Sequence, residues 1–297
     1  MEKFKKVPIP ISGLMLGLCG CGNLLASYFI GFKILFGLLS TLIGIFILMT
    51  IFADLDAFKK QMENPVIASV FATFPMALMI LSTYILKLGI LAKTLWYIAF
   101  ILHIILIIYF TIFHILRLDI KKVYAGYFIV YVGIVVASMT SKAFDLNNIG
   151  KKAFYFGLIS YILLLILVSY RYITLRDIDD SLKPLFAIYA APGSLLVVGY
   201  VSAFEQINML FLSMLLIISQ LIFFMVILKV FKLFRGRFYP SFSAFTFPFI
   251  ITATALKLSN AFVYKSNGLF ILANVEIVFS VIVLVYVFLK YMKFIRK

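Results

Sequence analysis

Residues 240–260 read PSFSAFTFPFIITATALKLSN, and residues 268–289 read GLFILANVEIVFSVIVLVYVFL. Each is apolar over a length close to the roughly 20 residues that a helix needs to cross a bilayer. They differ in kind. The first carries Pro240, Pro248 and scattered Ser and Thr, whereas the second has no proline and is built largely of Leu, Ile, Val and Phe. A proline inside a helix removes one backbone hydrogen bond and kinks the axis. The polar backbone it frees needs neighbouring helices or a water-lined cavity for partners. The first stretch therefore predicts an interior helix and the second a lipid-facing one.

The same alternation runs along the whole chain. Apolar runs occupy approximately residues 8–29, 34–53, 65–86, 91–115, 123–141, 152–173, 184–203, 207–228, 240–260 and 268–289. The odd-numbered runs start near 8, 65, 123, 184 and 240, at steps of 57, 58, 61 and 56 residues. Four of the five contain proline: Pro8 and Pro10, Pro75, Pro192, and Pro240 with Pro248. The fifth carries Gly126 and Gly133 instead, with Gly133 falling 58 residues after Pro75 and 59 before Pro192. No even run contains proline. A repeat of this kind predicts an all-α membrane protein of ten transmembrane helices. They form five hairpins, 8–53, 65–115, 123–173, 184–228 and 240–289, with the kinked helices as an inner ring and the others as an outer ring facing lipid.

Composition agrees. Of 297 residues, 65% are hydrophobic and 13% charged, against roughly 45–50% and about 25% in soluble domains. A water-soluble fold is excluded, and a single membrane unit over residues 1–297 is expected with no room for an extramembrane domain. Continuous apolar runs also exclude a β-barrel, whose strands alternate with period two. The first run has no A-x-A-like cleavage site and is expected to be retained as a helix. The net charge of +16 is spread in short groups between apolar runs, which is a topology signal rather than a nucleic-acid surface. With the N-terminus inside, nineteen of the 27 Lys and Arg lie on the cytoplasmic side, among them Lys3, Lys5, Lys6, Arg176 and Lys297. The positive-inside rule then puts both termini in the cytoplasm of a multi-pass cell-membrane protein.

Ionisable residues inside spans are costly and so are candidates for function. Glu276, His103 and Lys257 meet that description. Glu276 is a possible proton carrier, although a structural hydrogen bond between hairpins is the expected role. Cys19 and Cys21 are two apart on one helix, point about 200° from each other, and read as small packing residues. No Ser/His/Asp arrangement, Gly-rich phosphate loop or intramembrane acid cluster is present in the sequence, so neither an enzyme nor a cofactor or metal is expected.

Three segments carry a resemblance. The opening Pro8-Ile9-Pro10-Ile11-Ser12-Gly13-Leu14-Met15-Leu16-Gly17-Leu18, the pair Lys183-Pro184 with Ala191-Pro192, and Ser243-Ala244-Phe245-Thr246-Phe247-Pro248 resemble the first, seventh and ninth helices of the tellurite-resistance/dicarboxylate transporter family. That family includes the bacterial tellurite-resistance permease and the plant slow-type anion channels. The resemblance implies a quasi-fivefold bundle with a pore through each protomer, assembled as a homotrimer. It further implies that a phenylalanine of the ninth helix blocks the pore opposite a glycine of the first. By position these are Phe247 and Gly13, with Gly17 the next small residue and Phe245 the rival gate. Because residues two apart on a helix diverge by about 200°, only one of Phe245 and Phe247 faces the axis. Thr73-Phe74-Pro75 repeats Thr246-Phe247-Pro248, which makes Phe74 a possible second pore residue. Pro75, Gly133, Pro192 and Pro248 are expected at helix kinks along the pore. The function expected is an anion channel for small anions, and the alternative is a proton-coupled carrier of C4-dicarboxylates or of oxyanions such as tellurite.

Overall fold

The computed structural model describes residues 7–175 and 177–296; Lys3, Lys5, Lys6, Arg176 and Lys297 of the charge count lie outside them. Nine helices among the described residues are long and apolar enough to cross a membrane. With the shorter first helix they are α1 (Ile11–Leu25), α2 (Ile30–Ala53), α3 (Pro65–Ser82), α4 (Ile90–Ile115), α5 (Tyr127–Phe144), α6 (Asn147–Thr174), α7 (Lys183–Ala203), α8 (Met209–Arg235), α9 (Pro240–Tyr264) and α10 (Asn267–Ile295). The chain is thus an all-α membrane protein. A short helix, Leu55–Met62, was not expected. It lies in the charged linker after α2 and is capped by Asp54, whose carboxylate accepts the Ala57 N–H at 3.0 Å, a standard way to satisfy an orphan amide of the first turn.

The division by proline is a division by burial. In α3, α5, α7 and α9, 72–83% of the most apolar stretch is buried, while in the even-numbered helices the share is 22–39%. All but one residue of α1 are buried. Each even helix packs on the odd helix that precedes it, and the odd helices contact one another in sequence: α1 with α3, α3 with α5, α5 with α7, α7 with α9, and α9 with α1. The exposed faces of the even helices are apolar, with Leu228, Ile90 and Ile166 among the most open residues. A surface of that kind matches lipid, since hydrocarbon sets no penalty on it.

Four of the five odd helices, α3, α5, α7 and α9, are broken within their spans. In α3 an α-helical segment ends at Phe71 and a second begins at Thr73. In α5 a 3₁₀ turn, Val132–Ile134, separates two α-helical pieces. In α7 and α9 a 3₁₀ segment hands over to an α-helix at Ala191 and at Phe247, with Pro192 and Pro248 as second residues. Proline suits the first turn of a helix, where its missing N–H has no partner to lose. The four breaks fall near mid-span.

Candidate anion pathway

The breaks meet around a cavity. All five odd helices contribute to a narrow space of about 40 Å³, through Gly13 and Leu16, Val70, Thr73 and Met76, Phe128, Val132 and Gly133, Ile188, Pro192 and Leu195, and Ser243, Phe247 and Pro248. By the measure of one water per 10–15 Å³ open to its centre, that is room for about three waters. A second, wider cavity of about 300 Å³ lies toward the other ends of the same five helices. Its lining includes Gly20 and Asn23 of α1, Thr83 of α3, Thr140 of α5, Ser202 of α7 and Thr254 of α9. Phe247 lines both cavities. It is the one residue the two linings have in common among the described residues.

Gly20 is the glycine nearest that ring. A methyl group placed there would lie 3.3 Å from Cδ2 of Phe247. Gly13 lines the narrow cavity but faces Ser243, and Gly17 faces Thr246 and Leu284. Phe247 and the expected Gly13 share the narrow cavity, while the glycine that approaches the ring is Gly20, one turn beyond Gly17. The three glycines together let α9 approach α1 at its break. A Cβ on Gly17 would come within 2.6 Å of the Thr246 side chain, and the Thr246 hydroxyl donates to the carbonyl of Gly13 at 2.9 Å.

Phe245 and Phe74 are placed elsewhere. Phe245 is fully buried among Phe234, Phe242 and Phe249, on the side of α9 away from both cavities. Phe74 stacks on Phe71, ring centroids 5.5 Å apart, and its neighbour Thr73 takes the cavity position. Gly133, Pro192 and Pro248 line the narrow cavity, whereas Pro75 lies behind it with Met76 in its place. Met76 also explains Gly133, since a side chain there would strike the Met76 sulfur at 2.6 Å.

No charged side chain lines either cavity among the described residues; the polar groups are hydroxyls and the amide of Asn23. Lys257 stands at the rim of the wide cavity. Its ammonium donates to the carbonyl of Leu24 at 2.7 Å and to the Ser27 hydroxyl at 2.6 Å, and lies 4.4 Å from the Tyr28 ring centre. A cation bound to the last carbonyls of α1 complements the negative end of that helix. His103, on α4, reaches inward to place Nε2 2.9 Å from the carbonyl of Val130, just before the break in α5. Glu276, on α10, is buried behind α9 against Thr252 and Gln220 and lines neither cavity. Lys257 and His103 thus tie neighbouring helices together, whereas both carboxylate oxygens of Glu276 are buried without a hydrogen-bond partner among the described residues. Among the described residues no group of His, Cys, Asp and Glu is placed to hold a metal ion, and Cys19 and Cys21 are free and buried.

Gly20, Thr246 and Met76 were not singled out by the sequence. Gly20 had a signal, because the Gly13 and Gly17 spacing continued by one helical turn reaches it. Thr246 and Met76 had none, since their roles depend on where the helices break.

No curated protein matches the chain. The model of a protein family described as voltage-dependent anion channels, SLAC1, matches residues 6–292. Ten apolar helices, a path lined by all five odd-numbered ones and a match over nearly the entire length agree, and the chain belongs to the SLAC1 voltage-dependent anion channel family.

Proposed function

We propose that the protein conducts small anions along the axis of a quasi-fivefold ring of α1, α3, α5, α7 and α9, and that Phe247 closes this path. The observation that carries the reading is that Phe247 alone lines both the narrow and the wide cavity. A phenyl ring across a constriction this small expels water and stops ions without any charge. The absence of acids from the lining spares an anion repulsion, and the hydroxyls offer donors strong enough to replace part of a hydration shell but too weak to trap it. Lys257 raises anion concentration at the wide mouth, an effect that salt weakens over a Debye length of about 10 Å at 0.1 M.

Both termini are assigned to the cytoplasm from the charge distribution, which makes the wide cavity the outer vestibule. One chain forms one complete path, and the homotrimer is an assembly of three such paths. No catalytic role is assigned.

Liposome flux of chloride, nitrate, malate and tellurite, compared between the wild type and Phe247→Ala, tests this reading. Faster flux in the variant supports the gate, and unchanged flux with a folded protein removes it. The second reading, a proton-coupled carrier, is favoured by one observation, the carboxyl of Glu276 buried beside Thr252 on the helix that carries Phe247. A flux driven by voltage alone, indifferent to a pH gradient, excludes it.

A further inference from the structure

At the ends of α6 and α8 and the start of α7 the outer surface opens into a crevice of about 470 Å³, lined among others by Tyr172, Lys183, Phe186, Lys229 and Leu233. It lies at the ends of these apolar helices. Lys183 bonds Asp180 in the adjoining turn. Lys229 has no carboxylate partner among the described residues and rests 4.6 Å from the centre of the Phe186 ring. Ile173, Leu228 and Phe231 flank these residues along the chain and are 69%, 81% and 58% exposed. Ammonium groups within a crevice and open apolar surface beside it are the two halves of an amphiphile's complement.

The corresponding crevice one hairpin earlier sharpens the point. It lies at the end of α4 and the start of α3 and α5, and its lining mixes Glu63 and Asp119 with Arg117 and Lys122. Charges there can balance internally. Among the described residues the α6–α8 crevice has no acid in its wall, and with Lys183 paired to Asp180 from the adjoining turn it is the charge of Lys229 that is left for something else to neutralise.

We propose that this crevice binds the phosphate headgroup of an anionic phospholipid, with Lys229 as the principal contact, Lys183 as the second, and the acyl chains on the apolar faces of α6 and α8. A juxtamembrane lysine contributes about fivefold to the affinity for acidic lipid.

The test is native mass spectrometry of the full-length protein in detergent, titrated separately with phosphatidylglycerol, phosphatidylcholine and inorganic phosphate. Phosphatidylglycerol is expected to bind best, and Lys229→Ala to weaken it about fivefold without changing phosphatidylcholine binding. Lys122→Ala, in the mixed crevice, is expected to leave it unchanged. Equal binding of the two lipids, or equal loss in both lysine variants, overturns the proposal. Binding of inorganic phosphate as tight as that of phosphatidylglycerol assigns the crevice to a free anion instead. Loss of oligomers in Lys229→Ala with lipid binding intact assigns it to a second copy of the chain. Neither result depends on whether Phe247 is a gate.

Discussion

Helices α9 and α10 are neighbours in sequence and in space, yet they solve opposite problems. The first is broken at Thr246, buried for most of its length and set against both cavities. The second runs unbroken for 29 residues with about a third of its apolar stretch buried. Their join is polar: the hydroxyl of Ser280 on α10 donates to the carbonyl of Phe249 on α9 at 2.8 Å. A helix that must present a special side chain at its kink is steadied by one that only has to be straight and apolar. The same difference separates the odd set from the even set along the chain.

Substitutions that strike the two sets unequally test that contrast. The largest effect is expected from Gly17→Ala, because the added methyl meets the stiff, β-branched Thr246 at 2.6 Å. Overpacking of that kind costs about 1–3 kcal/mol, to be read as a lower thermal midpoint in detergent. Phe247→Ala is expected to raise anion flux severalfold while the protein stays folded, measured in liposomes. Thr246→Val removes the hydroxyl bonded to the Gly13 carbonyl and is expected to cost about 1 kcal/mol in unfolding, with a shape nearly unchanged. Glu276→Gln keeps the volume of a side chain that lines neither cavity, so its flux should show the same response to a pH gradient as the wild type. A lost response would make Glu276 a proton carrier. On the outer face, Leu228→Ala at an 81% exposed position is expected to shift stability by less than about 0.5 kcal/mol. An effect as large as that of Gly17→Ala would end the distinction between the two sets.

The ten membrane helices were legible because hydrocarbon demands long apolar runs and because proline marked four of the five odd ones and glycine the fifth. Phe74 shows where that legibility stopped. Thr73-Phe74-Pro75 and Thr246-Phe247-Pro248 are the same three residues, but α3 breaks at Ala72 and α9 at Thr246. The tripeptide therefore sits one residue out of register relative to its break. One residue is about 100° around a helix, enough to turn Thr73 inward and Phe74 onto Phe71. Where a helix breaks depends on its neighbours as well as on its proline, and a single strand of sequence does not display neighbours. Gly20 is the milder case: its periodicity was visible, while the depth at which α9 crosses α1 was not.

If Phe247 closes the path as proposed, the close approach of its ring to Gly20 has a mechanical consequence. A seal made by two side chains can follow a widening gap by changing rotamers. Here one side of the seal is bare backbone, which has nothing to extend. The tightness of closure is then set by the distance between two helix axes. An added separation of about one ångström would forfeit much of the van der Waals contact, which falls by a quarter to a half over gaps of 0.5–1 Å. On the proposed gate, closure is accordingly a property of how firmly α1 and α9 are held together, and the Thr246 to Gly13 hydrogen bond and the Lys257 tie to Leu24 are the two rivets between them.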